Sequence, residues 1–381
     1  MLYKKKIALT FPFLHSYGGG EIFCEAVANF LIKYFAIDLY IYDNKKKINK
    51  EIKFKKDVNI IRIKSKNIFI DFLCCKSMIF SQYYLIYFFK NLNLINYHFV
   101  FSLAGEMTSK LRTYQYLHHP FYSLNPNHYL AVGLKWKKFH KIFIRFIFTI
   151  FIRFLLNIKK NIFEKVITFT NSSWSKKRIK NIYKINKIKI ICPTFDMPKY
   201  FDSNNNFEKR NDDFVILGRI SDDKNIVEGI EFFQKIKDRF KNSKMHLIGP
   251  IDNKYKKKLN NLLLDKDIIL HGYLDKKNRN SILKNSKFGL HFFKYEHFGR
   301  SVLEMQKLGM IVFVHKSGGV ENIVFSNVQK YRNLKDLEIN FCKVKNNVKL
   351  RNCILKLNKN KLSNQYTSNS FYKSLENNLL H

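Results

Sequence analysis

Glycine and proline are scarce in this chain, 14 and 6 among 381 residues. Their scarcity excludes a collagen-like or Pro/Gly-rich low-complexity protein. Against an average glycine usage of about 7%, each glycine that remains is informative. Cysteine is sparse too: six residues, with Cys74 and Cys75 adjacent and no CxxC spacing. That excludes a disulfide scaffold and a zinc site of the usual spacings, and reads as reduced thiols in the cytosol. Acids are few, 29 against 69 Lys and Arg, for a net charge of +40. The start, MLYKKKIALTFPF, lacks a small-residue cleavage site, so it reads as a first buried strand and not as a signal peptide.

What is present begins with 46% hydrophobic residues, enough to bury proper cores and to exclude wholesale disorder. The length suggests two domains. Lys, Asn, Ile, Phe and Tyr dominate, the skew an AT-rich genome imposes, so charge alone is no argument for nucleic-acid binding, and no recognisable nucleic-acid motif is present. Charge is uneven: residues 1–195 hold 34 Lys/Arg against 9 Asp/Glu, and residues 196–381 hold 35 against 20. The interval 107–163 has no acid and ten Lys/Arg, which marks a candidate for an anionic surface.

Residues 5–11, 37–42, 58–63, 97–103, 113–118, 164–170 and 188–192 read as strands. Ile22, Ala26, Phe30 and Tyr34 recur every fourth position and predict a helix after the loop HSYGGGE; 68–90 and 134–158 read as further helices. Residues 196–212, polar with Pro, Asn and Asp, predict a linker. A second alternation follows, with strands at 213–218, 244–248, 267–271, 287–292 and 310–314 and helices at 225–240, 252–264, 275–285 and 299–308. The pattern predicts an α/β fold of two Rossmann-like, doubly wound domains, 1–195 and 213–381. Ligands of such sheets sit beyond the carboxyl ends of the strands.

Four glycine turns fall at strand ends: Gly18-Gly19-Gly20, Gly218-Arg219, Phe298-Gly299-Arg300 and Gly318-Gly319. Glycine lets backbone N–H groups approach a ligand, and a helix start adds partial positive charge that suits phosphate. Taken singly, each is also ordinary turn punctuation. Glu296 and Glu304, eight residues apart, are not an acid/base pair by spacing. Arg219 and Lys224 alone read equally as solvated charges, and Glu304 as an acid favourable to its helix dipole.

Together these segments resemble a known family. Tyr295-Glu296-His297-Phe298-Gly299-Arg300-Ser301-Val302-Leu303-Glu304, followed by Ser317-Gly318-Gly319-Val320-Glu321, looks like the donor-binding signature of retaining glycosyltransferase family 4, of the GT-B fold. Gly218-Arg219 with Lys224, and Tyr17-Gly18-Gly19-Gly20-Glu21, are similar to two further motifs of that family, in the same order. YLHHPF, FTNSSW and EHFGRSVLEM resemble the GDP-mannose-dependent α-1,2-mannosyltransferases of the lipid-linked oligosaccharide pathway and their prokaryotic relatives.

The resemblance implies two domains facing each other across a cleft. It implies a nucleotide diphosphate-sugar donor, a lipid-linked or saccharide acceptor, no cofactor and no metal. Its candidate catalytic residues are His118 and Glu296; His119 is an equal-looking neighbour of the first. Its candidate donor-binding residues are Gly18, Gly19, Gly20, Arg219, Lys224, Phe298, Gly299, Arg300, Ser301 and Glu304. Glu296 is expected on the sugar hydroxyls, Glu304 on the ribose diol, and Arg219 with Lys224 on the diphosphate. Arg300, Ser301 and Asn225 depart from the family's usual small or apolar residues and glycine. UDP-glucose, UDP-galactose or a UDP-N-acetylhexosamine is the rival donor, and a non-catalytic binding protein of the same fold the rival from another class.

Within 134–158, Lys137, Lys141, Arg145 and Arg153 form a basic ridge among Phe, Ile and Leu. Arg145 and Arg153 interrupt the apolar run, which argues against a spanning helix. An amphipathic helix on an anionic leaflet is expected, attaching the protein peripherally to the cytosolic membrane face. The plain alternative is a helix packed on the sheet with a solvated ridge.

Overall fold

A computed structural model describes residues 4–16, 18–120, 146–147, 150–151, 154, 163, 165–201, 207–240, 242–251, 253–260 and 262–380. They divide into two compact units that part between Phe195 and Asp196.

The first unit is built on a seven-stranded sheet in the order β3-β2-β1-β4-β5-β6-β7. Its strands are β1 (Lys6–Phe11), β2 (Ala36–Tyr42), β3 (Val58–Ile63), β4 (Val100–Ser102), β5 (Thr113–Leu117), β6 (Ile167–Thr170) and β7 (Ile188–Ile190), each parallel to its neighbours. Helix α1 (Gly19–Leu31) forms where the four-residue spacing predicts one, but the buried row is Phe23, Val27 and Leu31 with Phe30, while Ile22 and Ala26 are half-buried and Tyr34 is exposed beyond its end. The stretch 68–90 is two helices and not one, α2 (Ile68–Lys76) and α3 (Met78–Asn91). Ser77 leaves the helical conformation at φ −142°, and the Ser81 hydroxyl donates to the freed Cys74 carbonyl at 2.8 Å. The predicted helix 134–158 lies outside the described residues except for five, 146, 147, 150, 151 and 154, which are helical. Helix α4 (Ser173–Tyr183) follows β6.

The second unit repeats the plan with a six-stranded parallel sheet, β10-β9-β8-β11-β12-β13. Its strands are β8 (Asn211–Leu217), β9 (Met245–Ile248), β10 (Ile268–Gly272), β11 (Ser286–His291), β12 (Ile311–His315) and β13 (Lys330–Tyr331). The helices between them are α5 (Ile226–Ile236), α6 (Asn253–Leu259), α7 (Lys276–Asn285) and α8 (Arg300–Lys307). The end of the segment read as a linker is packed into this unit. Phe207 is in its core, and the buried Arg210 donates to the carbonyls of Ser286 and Leu308.

Three helices that the sequence pattern did not announce complete the unit: α9 (Leu334–Lys345), α10 (Val348–Leu362) and α11 (Ser368–Leu379). Asn333 and Asn347 accept from the backbone N–H groups of Asp336 and Leu350, as Asn67 does for Ile70 in α2. Each such cap contributes about 1 kcal/mol, so the abundant asparagine is used structurally. Phe341 of α9 touches the rings of Phe214, Phe232, Phe240, Phe288 and Phe313 at centroid distances of 5.0–6.0 Å. Truncating such a side chain to alanine costs about 3–5 kcal/mol, so this cluster anchors α9.

Candidate functional site

In the second sheet the strand order reverses direction at β8 and β11, which pair with each other. Crevices beyond the carboxyl ends of two such strands are where open α/β sheets bind ligands. Gly218-Arg219 leaves β8 there, and the segment from Phe292 to Gly299 leaves β11. After β8 the chain makes one 3₁₀ turn, Asp222–Lys224, and enters α5 through Asn225 at φ 50°. Asparagine tolerates this left-handed conformation as glycine does, which accounts for its place where the family has glycine. Its side chain donates to the Phe292 carbonyl at 3.2 Å and ties the two strand ends together.

That tie brings Lys224 to Glu296. The ammonium lies 3.1 Å from Glu296 Oε2 and 3.9 Å from the centre of the Phe293 ring. His291 Nε2 lies 3.4 Å from the same oxygen. Burial by itself would raise the Glu296 carboxyl. The Lys224 charge, the His291 bond and the nearby His297 reverse this and hold it well below the usual range. The site therefore presents an ionised carboxylate in a partly dry setting, an acceptor for hydroxyl groups.

The backbone around Glu296 is clamped. Tyr295 sits at φ 62°, a conformation costing a non-glycine residue roughly 1–2 kcal/mol. The Glu296 carbonyl accepts from Gly319 N–H at 2.6 Å, and Glu296 bridges to Gly318. A Cβ on Gly318, at φ 89°, would stand 2.4 Å from the Glu296 carbonyl oxygen. This glycine serves close backbone approach. Gly299, at φ 95°, caps α8, and a Cβ there would stand 2.5 Å from Val320.

Phe298 is buried, while Arg300 and Ser301 open α8. Glu304, one turn in, lies 3.5 Å from Arg300 and 3.5 Å from Arg279 of α7. Arg279 was not legible as a site residue, because its partner is 25 positions away. Arg219 is exposed and reaches Ser221 and Asp223, each at 3.2 Å. Among the described residues no three His, Cys, Asp or Glu side chains stand together as a metal site.

Comparison with known proteins bears on the fold and the second unit. Residues 196–351 match the family model described as glycosyl transferases group 1. The chain is a glycosyltransferase with the GT-B architecture. Among solved structures, HepE of Anabaena matches at 14% identity with a TM-score of 0.67, covering 99% of both chains. Sucrose-phosphate synthase of Thermosynechococcus elongatus matches at 12% identity and 0.70, covering 98% of both. WaaG, a glycosyltransferase of lipopolysaccharide biosynthesis, matches at 11% and 0.64, covering 97% of this chain and 98% of its own. No curated protein matches the sequence.

In the first unit of the glycosyltransferase, α1 starts at Gly19 with Gly18 as its cap and Gly20 in its first turn. Ser16 donates to Glu21 in that turn. His118 follows β5, with its ring 5.0 Å from Phe23 of α1 and 4.6 Å from Tyr116. The glycine loop and His118 thus meet at one helix. Of the two adjacent histidines, His119 is buried and His118 half-buried. Lys137, Lys141, Arg145 and Arg153 lie outside the described residues.

Proposed function

We propose that this glycosyltransferase moves mannose from GDP-mannose, with retention of anomeric configuration, to a lipid-linked or growing glycan. The observation carrying the reading is the Lys224–Glu296–His291 cluster beside the start of α8, at the switch point of the second sheet. Breaking the anomeric C–O bond places charge on the departing diphosphate, and Lys224 with the N–H groups of Arg300 and Ser301 stabilises it. Glu296 accepts from the sugar hydroxyls. Glu304, bracketed by two guanidiniums, takes the ribose diol with its remaining lone pairs. The acceptor oxygen bonds to the anomeric carbon from the face the diphosphate leaves, and its proton passes to a diphosphate oxygen.

The resemblance of YLHHPF, FTNSSW and EHFGRSVLEM supports mannose as the sugar. A UDP-sugar is the second reading, favoured by HepE and TarM, two structural neighbours solved with UDP. No cofactor enters this chemistry, the nucleotide-sugar being a substrate. Asp222 and Asp223 are each paired with a cation, Lys258 at 2.7 Å and Arg219 at 3.2 Å, so transfer is expected to persist in excess EDTA. Peripheral attachment to the cytosolic membrane face completes the proposal. The exposed Ile68, Phe69 and Phe72 of α2, flanked by exposed Lys64, Lys66 and Lys76, support it.

A thermal-shift panel of GDP, UDP, ADP and their sugars tests the donor. A ligand at 100 times its Kd stabilises by about 2.7 kcal/mol, so GDP and GDP-mannose should raise the melting temperature most. A shift with UDP and none with GDP would replace the first reading by the second. No shift with any of them would leave the chain without a donor site.

A further inference from the structure

The double-glycine turn contains a hydrogen-bond chain that the donor contacts do not account for. His315, the last residue of β12, places Nε2 at 3.1 Å from the Arg332 carbonyl and Nδ1 at 2.8 Å from Ser317 Oγ. A carbonyl only accepts, so Nε2 carries the proton and Nδ1 presents a lone pair. The Ser317 hydroxyl must then donate to Nδ1, which leaves its oxygen to accept from Tyr295 N–H at 3.0 Å. The chain therefore has one direction: Tyr295 N–H to Ser317, Ser317 O–H to His315, His315 Nε2–H to Arg332. The imidazole is held edge-on to Tyr331 at 5.6 Å, and the Tyr331 hydroxyl donates to the His291 carbonyl at 3.0 Å. Burial, then Lys294 and His291, disfavour protonation of His315, which keeps the acceptor at Nδ1.

The end of this chain is the strained residue. Tyr295, at φ 62°, immediately precedes Glu296, and its N–H is fixed by Ser317 while the Glu296 carbonyl is fixed by Gly319. The residue carrying the sugar-facing carboxylate is therefore anchored on both sides by one turn. We propose that Ser317 and His315 are positioning residues that hold Glu296 for recognition of the donor's sugar, leaving recognition of the nucleotide to other groups. This rests on the donor-site reading above. Neither residue touches the carboxylate; both act through the Tyr295 backbone.

Four variants separate this from a merely structural role. Ser317→Ala and His315→Gln break the chain at Oγ and at Nδ1. Ser317→Thr keeps the hydroxyl, and His315→Asn keeps an acceptor where Nδ1 stood. Each is measured for binding of GDP, UDP, GDP-mannose and UDP-glucose, for turnover of the two sugars, and for amide exchange of the peptide containing Tyr295. The expected result is about tenfold lower kcat for Ser317→Ala and His315→Gln with faster Tyr295 exchange. Affinity for the nucleoside diphosphates should stay unchanged, and Ser317→Thr and His315→Asn should restore most of the loss. Wild-type turnover in Ser317→Ala would overturn the proposal, and so would an equal loss of affinity for the bare diphosphates. If the wild type binds no diphosphate at all, the donor-site reading fails and the proposal falls with it; failure of the proposal alone leaves diphosphate binding intact.

Discussion

The two sheets share a plan and differ in what they present beyond their strands. In the first unit, rings gather after β5: His118 leans on Phe23 and Tyr116, and Phe23 on Phe195. In the second, charges gather after β8 and β11: Lys224 with Glu296, and Arg279 and Arg300 with Glu304. One scaffold thus carries two different sets of side chains at the carboxyl ends of its strands. The charged end suits a diphosphate and the hydroxyls around it, while the rings of Phe23, Tyr116 and Phe195 are buried and serve to seat His118.

The largest expected effect breaks the charged end. Glu296→Ala and Lys224→Ala should each lower turnover by about 100-fold or more, as loss of a preorganised contact does. Melting curves check that the fold survives, and purified variants of near-normal turnover would sink the assignment. At the ring-lined end, His118→Ala should cost less, about tenfold in turnover, with nucleotide affinity unchanged. A His118→Ala enzyme that binds diphosphate more weakly would erase the division of labour between the two ends.

Acid should sharpen the comparison through stability. His15 and His98 in the first unit, and His271 and His315 in the second, have pKa values lowered from 6.5, with burial the main cause in each. Between the lowered folded value and 6.5 the unfolded chain binds more protons, so stability falls as pH drops through that window. A lower melting temperature at about pH 5.5 than at about pH 7.5 is expected for both units. Depressed carboxyls are unevenly shared: Asp38 in the first unit, against Asp212, Asp213, Asp265, Glu296 and Glu338 in the second. Their contribution is present above the ordinary carboxyl range and lost as pH falls through the folded values. Amide exchange near pH ~4 should therefore rise more in second-unit peptides. Equal rises would show that these pairs carry little stability.

The same comparison explains what was legible in the sequence. Strand β3 falls on 58–63 as read from the sequence, and the buried parallel strands stand out as apolar runs between turns. The donor-side motif is local: Glu296, Gly299 and Glu304 lie within nine residues, so spacing displays them. Asn225 departs from the family's glycine in composition only, since φ 50° places the same demand on both. Contacts across the fold leave no periodic trace. His291 reaches Glu296 from a strand, Arg279 reaches Glu304 from another helix, and Ser317, bonded to His315, holds a residue 22 positions before it. The helices α9 to α11 were missed because their apolar positions are few and set among Lys and Asn. Phe341 docks α9, Ile354 and Leu355 anchor α10, and Phe371, Leu375 and Leu379 are buried along α11; asparagine caps the first two and Thr367 the third.

The smallest effect on transfer itself should come from the surface of the first unit. Of the helical residues described between 146 and 154, Ile147, Ile150, Phe151 and Phe154 are exposed. Their spacing of three, one and three puts them on one face, in the interval that holds ten Lys/Arg and no acid. No helix among the described residues is long and apolar enough to cross a membrane. An apolar face with basic neighbours gains from an anionic leaflet about 1 kcal/mol per Lys or Arg that reaches it. Salt screens that part and leaves the apolar part. Co-sedimentation with anionic vesicles should therefore exceed that with neutral ones and weaken as salt rises. Replacing Lys137, Lys141, Arg145 and Arg153 by Gln should reduce it while turnover on a soluble acceptor holds. Replacing Ile147, Phe151 and Phe154 by Ser should remove the salt-resistant remainder. Equal binding to neutral and anionic vesicles, or binding to neither, would make the ridge a solvated face and its charge a product of codon usage.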